Sequence, residues 1–121
     1  MIRCLDTYAL VELKLGNPKF RYLNKTDFVI PDITLAEFYY VVLRNEGEEK
    51  AEYWFEKLKP YSSQVDKYIL KEAMKFRSEH KKSRISFFDS VGYIFAVKNK
   101  FRFVTGDKEF EKFPRVEFVK K

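Results

Sequence analysis

The sequence is poor in the residues on which many enzymes depend. Its 121 residues include one cysteine and one histidine, Cys4 and His80. A single cysteine excludes an internal disulfide and a Cys-x-x-Cys clip, and a single histidine excludes HExxH and histidine-rich zinc sites. The motifs GxGxxG, GxxxxGK and GxSxG are also missing, which removes the common dinucleotide, P-loop and serine hydrolase classes. The chemistry left in quantity is that of carboxylates, hydroxyls and amines.

Long apolar runs are also missing. The longest, residues 91–97, has seven residues and is too short to cross a bilayer. Arg3 and Asp6 interrupt the stretch that would have to be apolar in an export signal. We therefore expect a soluble, cytoplasmic protein that does not bind membranes.

Aromatic residues are plentiful. Thirteen Phe, eight Tyr and one Trp make up 18% of the chain, and each can bury roughly 150–250 Å². That supply and the length predict a single domain over residues 1–121. Lys and Arg number 24 against 18 Asp and Glu, and the resulting charge of +6 suits a polyanionic partner without requiring one.

Short apolar segments alternate with segments of helical periodicity. Strands are predicted at residues 1–5, 28–30, 61–65, 101–105 and 116–119, and helices at 8–15, 34–44, 48–58, 66–81 and 86–98. A tight polar connection is expected at 45–50, between the second and third helices. This alternation predicts an α/β fold, a three-layer sandwich whose central, mostly parallel sheet is flanked by helices.

Four acidic residues stand where such a fold brings chain segments together. Asp6 and Asp107 follow predicted strands, and Glu37 and Asp89 are expected in the first turns of predicted helices. In a parallel sheet these positions share one edge, so the four carboxylates would crowd together. Repulsion among them could be relieved by protonation or by a hard divalent cation, and all-oxygen ligands select Mg²⁺ or Mn²⁺.

Helix capping is the alternative explanation for the same four residues. Asp6 and Asp107 could be N-caps, while Glu37 and Asp89 could be the third residues after capping Thr34 and Ser86. Each cap would contribute about 1 kcal/mol and require no ligand. The residues alone leave both interpretations open.

The ordered set of motifs resembles the PIN domain family, and within it the VapC-type toxin ribonucleases. Four segments carry the resemblance, namely residues 2–7, 34–38, 86–90 and 103–110, read as IRCLDT, TLAEF, SFFDS and FVTGDKEF. Tyr93 and Phe95 are bulkier than is usual in that family.

The resemblance implies a function as well as a fold. It implies a metal-dependent endoribonuclease that uses Mg²⁺ or Mn²⁺, pairs with a VapB-like antitoxin and forms a homodimer. The catalytic and metal-binding acids would be Asp6, Glu37, Asp89 and Asp107, with Thr105 as a supporting hydroxyl. Since no motif positions a histidine or cysteine nucleophile, hydrolysis should use water. Its attack would release the 3′ oxygen and leave a 5′-phosphate.

Basic residues precede the segment that contains Asp89. Lys81, Lys82 and Arg84 could contact RNA phosphates, or they could simply be solvated charges near a helix C-terminus.

Two apolar stretches, residues 38–43 and 53–55, are also ambiguous. They could belong to a central core helix and its neighbour, or they could form a groove or dimer face that receives a partner helix.

Two other functions fit the length and composition. A receiver-like signalling domain also binds Mg²⁺ through acids at strand ends, but it needs a pair of acids after its first strand, and Asp6 has no acidic neighbour. A non-catalytic, basic nucleic-acid-binding domain would explain the charge if the four acids were only caps.

Overall fold

A five-stranded parallel sheet lies at the centre of the molecule, which is described over residues 1–121 by a computed structural model. Its strands are β1 (Arg3–Leu5), β2 (Phe28–Pro31), β3 (Ser62–Ser63), β4 (Arg102–Thr105) and β5 (Val116–Phe118). Their spatial order is β3-β2-β1-β4-β5, and every neighbouring pair is parallel. All five predicted strands are therefore present, and the first lies at the centre of the sheet.

Five α-helices connect or follow the strands. They are α1 (Thr7–Lys14), α2 (Asp32–Glu46), α3 (Glu48–Leu58), α4 (Lys67–Glu79) and α5 (Phe87–Lys98). Three 3-10 helices complete the fold at Pro18–Lys25, Lys59–Tyr61 and Lys108–Phe110. The first of these was not predicted, although it buries Phe20 and Leu23. No helix is long and apolar enough to cross a membrane.

The sheet buries both of its faces, as parallel sheets do. Neighbouring residues of one strand point to opposite faces, so Leu5 and Val104 join one hydrophobic cluster while Cys4 and Phe103 join the other. The first cluster packs against α1, α2 and α3, and the second packs mainly against α5. The predicted three-layer arrangement is confirmed.

Helix α2 begins earlier than the sequence suggested. Its N-cap is Pro31, which provides no capping side chain. The proline ring holds φ at −60°, and this favours the start of a helix directly after β2. Thr34 is therefore buried inside the helix and caps nothing. Glu37 is the sixth helical residue, so the predictions of a capping box and of a first-turn position for Glu37 are both wrong.

The connection between α2 and α3 is shorter than predicted. The expected polar loop at 45–50 is reduced to Gly47 alone, because α2 continues to Glu46 and α3 begins at Glu48. Gly47 has φ +93°, a left-handed conformation that residues with a side chain rarely adopt.

Helix α2 is not buried on every side. Leu35, Phe38 and Val42 are buried, but Tyr40 is 58% exposed and Leu43 is 38% exposed. The interpretation as a central core helix therefore fails for its outer face, which leaves an apolar surface in contact with solvent.

Candidate active site

The first candidate acid, Asp6, lies at the carboxyl edge of the sheet. It directly follows β1, and its backbone N–H donates to the Val104 carbonyl at 3.2 Å, which continues the β1–β4 pairing by one residue. Its side chain is 3% exposed, and one carboxylate oxygen accepts a hydrogen bond from the Ala9 N–H at 2.8 Å. Asp6 is thus a genuine N-cap of α1, buried between the two central strands.

The hydroxyl of Thr105 joins two of the acids. Thr105 ends β4 and is completely buried. Its hydroxyl lowers the pKa of the Asp6 carboxyl and accepts a hydrogen bond from the Asp107 N–H at 3.0 Å. Asp107 in turn accepts from the Glu109 N–H at 3.0 Å and caps the 3-10 helix that follows. Thr105 therefore helps to fix the position of Asp107 and acts on the charge of Asp6.

Gly106 lets the chain turn between Thr105 and Asp107. A Cβ atom on Gly106 would lie 2.1 Å from Cε1 of Tyr8, with two more atoms of the same ring within 2.6 Å. The ring of Tyr8 thus occupies the space that any larger residue at 106 would need. The position of Asp107 depends on this close approach of α1 to the turn after β4.

Glu37 reaches the same edge from α2. It accepts a short hydrogen bond from the hydroxyl of Thr7, the first residue of α1. Thr7 was not predicted as a site residue, because its partner lies 30 positions away in the chain. Its place directly after Asp6 was the one signal that could have indicated it.

A close approach of α5 to α2 brings Asp89 towards Glu37. A Cβ atom on Gly92 would lie 3.1 Å from the Phe103 ring and 3.8 Å from the Thr34 hydroxyl, so Gly92 permits this packing. Asp89 lies one turn before Gly92, and Glu37 lies close to one turn after Thr34. Ser86 caps α5 by accepting a hydrogen bond from the Asp89 N–H at 3.1 Å, so this predicted cap is confirmed.

The carboxylates repel one another at an edge where Asp6 is buried and the other three acids are half-buried. Burial raises the pKa of Asp6 to about 8, and the charges of Asp89 and Asp107 add to this, while Thr105 and the Ala9 N–H oppose it. Burial likewise raises the pKa of Asp89 to about 6, with Glu37 and Asp107 as the next causes. These repulsions connect all four predicted acids into a single electrostatic cluster.

No basic side chain neutralises this cluster. All six ion pairs of the molecule lie elsewhere and involve none of the four acids. Ordinary caps contribute about 1 kcal/mol without crowding several buried charges together. Capping is therefore present at Asp6 and Asp107, and at Ser86 beside Asp89, but it leaves the clustering unexplained.

The cluster is not a complete cage for a cation. Nowhere do three Asp, Glu, His or Cys side chains meet closely enough to enclose an ion. Mg²⁺, however, usually keeps several waters and is held by one or two carboxylates, so it does not require such a cage. Asp6 and Asp107 each use one carboxylate oxygen to accept a capping hydrogen bond, which leaves the second oxygen available. The donor set fits a hydrated, hard cation.

The three predicted RNA-binding residues lie in the sequence just before the helix that contains Asp89. Lys81, Lys82 and Arg84 are exposed on the connection between α4 and α5, and none of them forms an ion pair. The connection enters α5 at Ser86, three residues before Asp89.

Comparison with known families and structures gives a consistent result. The family model described as the PIN domain matches residues 3–116. No curated protein matches the sequence. Solved structures similar to the chain include the Mycobacterium tuberculosis toxin VapC20, described as cleaving the sarcin-ricin loop, at 16% identity and a TM-score of 0.78, covering 98% of both chains.

Two further structures are complexes. One is DNA-bound VapBC from Salmonella typhimurium, at 21% identity and a TM-score of 0.76, covering 99% of this chain and 98% of that one. The other is a toxin–antitoxin complex from Klebsiella pneumoniae, at 19% identity and a TM-score of 0.76, covering 95% of both chains. At these identities the likeness establishes the fold alone.

Proposed function

The chain belongs to the PIN domain family, and from that premise we propose that it is a metal-dependent endoribonuclease, the toxin of a VapBC-type toxin–antitoxin pair. The observation that carries the proposal is the cluster of Asp6, Glu37, Asp89 and Asp107 at the carboxyl edge of the sheet, without any basic partner. The similar structures support it, since one is described as a sarcin-ricin loop cleaving toxin, one as a toxin–antitoxin complex and one as DNA-bound VapBC.

The proposed Mg²⁺ or Mn²⁺ ion lies at the cluster of Asp6, Glu37, Asp89 and Asp107, where one or two of the four carboxylates would hold it and waters would complete its coordination. The oxygen-only donor set, with no histidine or cysteine thiolate, matches these ions better than zinc or copper. When bound, such an ion neutralises charge on a phosphodiester and lowers the pKa of coordinated water.

The protein's own residues orient the reaction. Thr105 holds Asp107 and lowers the pKa of Asp6, while Thr7 holds Glu37. We assign Glu37 the task of orienting or deprotonating the attacking water, since it is less buried than Asp6 and is therefore accessible to water. The water oxygen bonds to phosphorus as the bond to the 3′ oxygen breaks, which leaves a 3′-hydroxyl and a 5′-phosphate.

The first test is cleavage of RNA by the wild-type protein and by Asp6→Asn and Asp107→Asn. Cleavage should require Mg²⁺ or Mn²⁺, stop in chelator, and be lost in both variants, because the amide keeps the shape and removes the charge that holds the ion. Asp66→Asn is the matched control: Asp66 caps α4, away from the sheet edge, and its replacement should leave cleavage intact. Full activity of wild type in chelator would refute the mechanism.

The two alternative functions are now less well supported. A receiver-like domain has the strand order 2-1-3-4-5, whereas this sheet has the order 3-2-1-4-5 and the sequence matches another family. A non-catalytic, basic nucleic-acid-binding domain would have isolated caps, which is at odds with the coupled carboxylates.

The proposed antitoxin site is the outer face of α2 and α3. Tyr40, Leu43 and Tyr53 are exposed there, and a shallow cavity of about 310 Å³ lies between Tyr39 and Phe55. An amphipathic helix could bury these apolar groups. A homodimer is part of the same proposal, since it would cover exposed apolar surface in the same way.

A further inference from the structure

A second cavity lies at the end of α4, beside the connection that leads to α5. It has a volume of about 380 Å³, within the range of roughly 300–1,000 Å³ that ligand pockets occupy. Its polar lining consists of Arg77, His80 and Lys81 together with the hydroxyls of Ser78 and Ser83. No acidic residue lines it, so its chemistry is that of an anion site.

The cationic groups of this cavity have no protein partner for their charge. Neither Arg77 nor Lys81 forms an ion pair. Arg77 uses only its Nε, which donates to the Ile85 carbonyl at 3.3 Å, so its two terminal nitrogens keep their hydrogen-bonding capacity. A guanidinium with free terminal nitrogens is well suited to bind phosphate.

His80 forms a rigid wall of the cavity. Its Nδ1 lies 2.8 Å from the Phe76 carbonyl, and because a carbonyl can only accept, Nδ1 carries the proton of that hydrogen bond. The ring also packs on Phe76 at 4.3 Å and on Phe113 at 5.3 Å between ring centroids. These contacts leave Nε2 as the nitrogen that is available to a ligand.

A short segment of chain connects the cavity to the acidic edge. Ile85, whose carbonyl holds Arg77, is buried and directly precedes Ser86, the cap of the helix that contains Asp89. Stabilisation of a helix C-terminus would explain a basic residue here, but it would explain neither the cavity nor its two hydroxyls.

We propose that this cavity binds a backbone phosphate of the RNA strand whose phosphodiester is cleaved at the acidic edge, and so sets the position of that strand. The inference rests on the proposed function for the identity of the strand. The binding itself needs neither a metal ion nor cleavage, which allows it to be tested separately.

The test follows the imidazole protons of His80 by NMR in chelator at constant pH. His80 is the single histidine, so its signals need no assignment. Inorganic phosphate, and separately a short RNA, should shift these signals to saturation in wild type, while chloride at equal ionic strength should not. An equal shift with chloride, or saturation only with an oligo-glutamate peptide, would overturn the proposal, the latter in favour of an acidic protein partner.

Variants then locate the binding site. Lys81→Gln should weaken RNA binding in chelator about tenfold, as expected for one lost charge-assisted hydrogen bond, and lower the salt slope by about 1. Ser83→Ala should weaken it less. Lys75→Gln is the matched control, since Lys75 is an exposed, unpaired residue of α4 outside the cavity. Equal losses of RNA affinity in Lys81→Gln and Lys75→Gln would contradict a specific site and indicate diffuse attraction of RNA to a basic surface.

The outcomes for cavity and nuclease are distinguishable. A saturating shift of the His80 signals in a protein that fails to cleave RNA with Mn²⁺ would refute the nuclease proposal and support the phosphate site. Cleavage of RNA with Mn²⁺ by a protein whose His80 signals do not shift would refute the phosphate site and support the nuclease proposal.

Discussion

Asp6 performs two tasks that oppose each other energetically. As an N-cap it stabilises α1 through the Ala9 N–H, and as a buried charge it is destabilised by the neighbouring carboxylates. An asparagine at this position keeps an oxygen for the cap and loses the charge, whereas an alanine loses both. The two substitutions therefore separate the two tasks.

We expect Asp6→Asn to stabilise the metal-free protein increasingly as pH rises. Unfolded Asp6 has a pKa near 3.8 and folded Asp6 one of about 8, so between these values the folded state holds the additional proton. Wild type therefore loses stability as pH rises through this window, and the variant lacks that loss. Urea denaturation in chelator at pH 5 and pH 8 measures the effect.

Asp6→Ala serves as the control for that measurement. It should lose about 0.5–2 kcal/mol relative to Asp6→Asn at both pH values, since only the cap differs. If Asp6→Asn and wild type kept the same stability difference at both pH values, Asp6 would not be a repelled, buried charge.

Gly106 is the second residue whose substitution should have a clear effect on stability. Gly106→Ala should destabilise the fold by about 1–3 kcal/mol, the usual cost of overpacking, because its Cβ would overlap the Tyr8 ring. In a Tyr8→Ala background the same substitution should cost much less, since the obstructing ring is gone. Chemical denaturation of the four proteins completes the cycle, and equal costs in both backgrounds would contradict the proposed clash.

At the scale of elements, the outer face of α2 and α3 has the clearest test. Leu43→Glu and Tyr53→Glu should abolish association with the antitoxin partner while the free protein keeps its fold, because both side chains already contact solvent. Tyr68→Glu on α4 is the control, with an equally exposed tyrosine away from this face. Co-purification and circular dichroism report the two properties, and undiminished association of both variants would place the groove elsewhere.

Elements were predictable where local chemistry determines them. The bounds of α3 agree fully, because Gly47 and Pro60 punctuate an uninterrupted helical pattern. The start of α2 was misplaced because Thr34 and Glu37 imitate a capping box, while Pro31 ends the strand and begins the helix at once. The 3-10 helix at Pro18–Lys25 was not predicted, although Asn17 caps it and Pro18 begins it.

The residues of the site could be predicted from the sequence, but their arrangement in space could not. Strand ends indicated Asp6 and Asp107, because parallel strands end at one edge. The contacts of Thr7 with Glu37 and of Gly92 with α2 depend on how helices pack, and no local pattern encodes them.

At the scale of the whole molecule, the carboxylate cluster predicts that folding and ion binding are linked. Mn²⁺ should stabilise wild type by about 2.7 kcal/mol at a hundredfold excess over Kd, since an ion held by the cluster binds only the folded state. Asp6→Ala and Asp107→Ala should lose most of this gain. Denaturation in chelator and in Mn²⁺ measures it, and a wild type indifferent to Mn²⁺ would contradict ion binding by the cluster.

The central place of β1 has a consequence for synthesis on the ribosome. Its neighbour β4 is separated from it by almost a hundred residues of chain, so the pairing of Arg3 with Arg102 must wait until β4 has emerged. Asp6 meets Thr105 only after that pairing. A nascent chain that stops before residue 102 already carries Asp6, Glu37 and Asp89, yet it lacks β4, and with it Thr105 and Asp107. Under the proposed nuclease function, such a nascent chain cannot yet cleave the RNA around it.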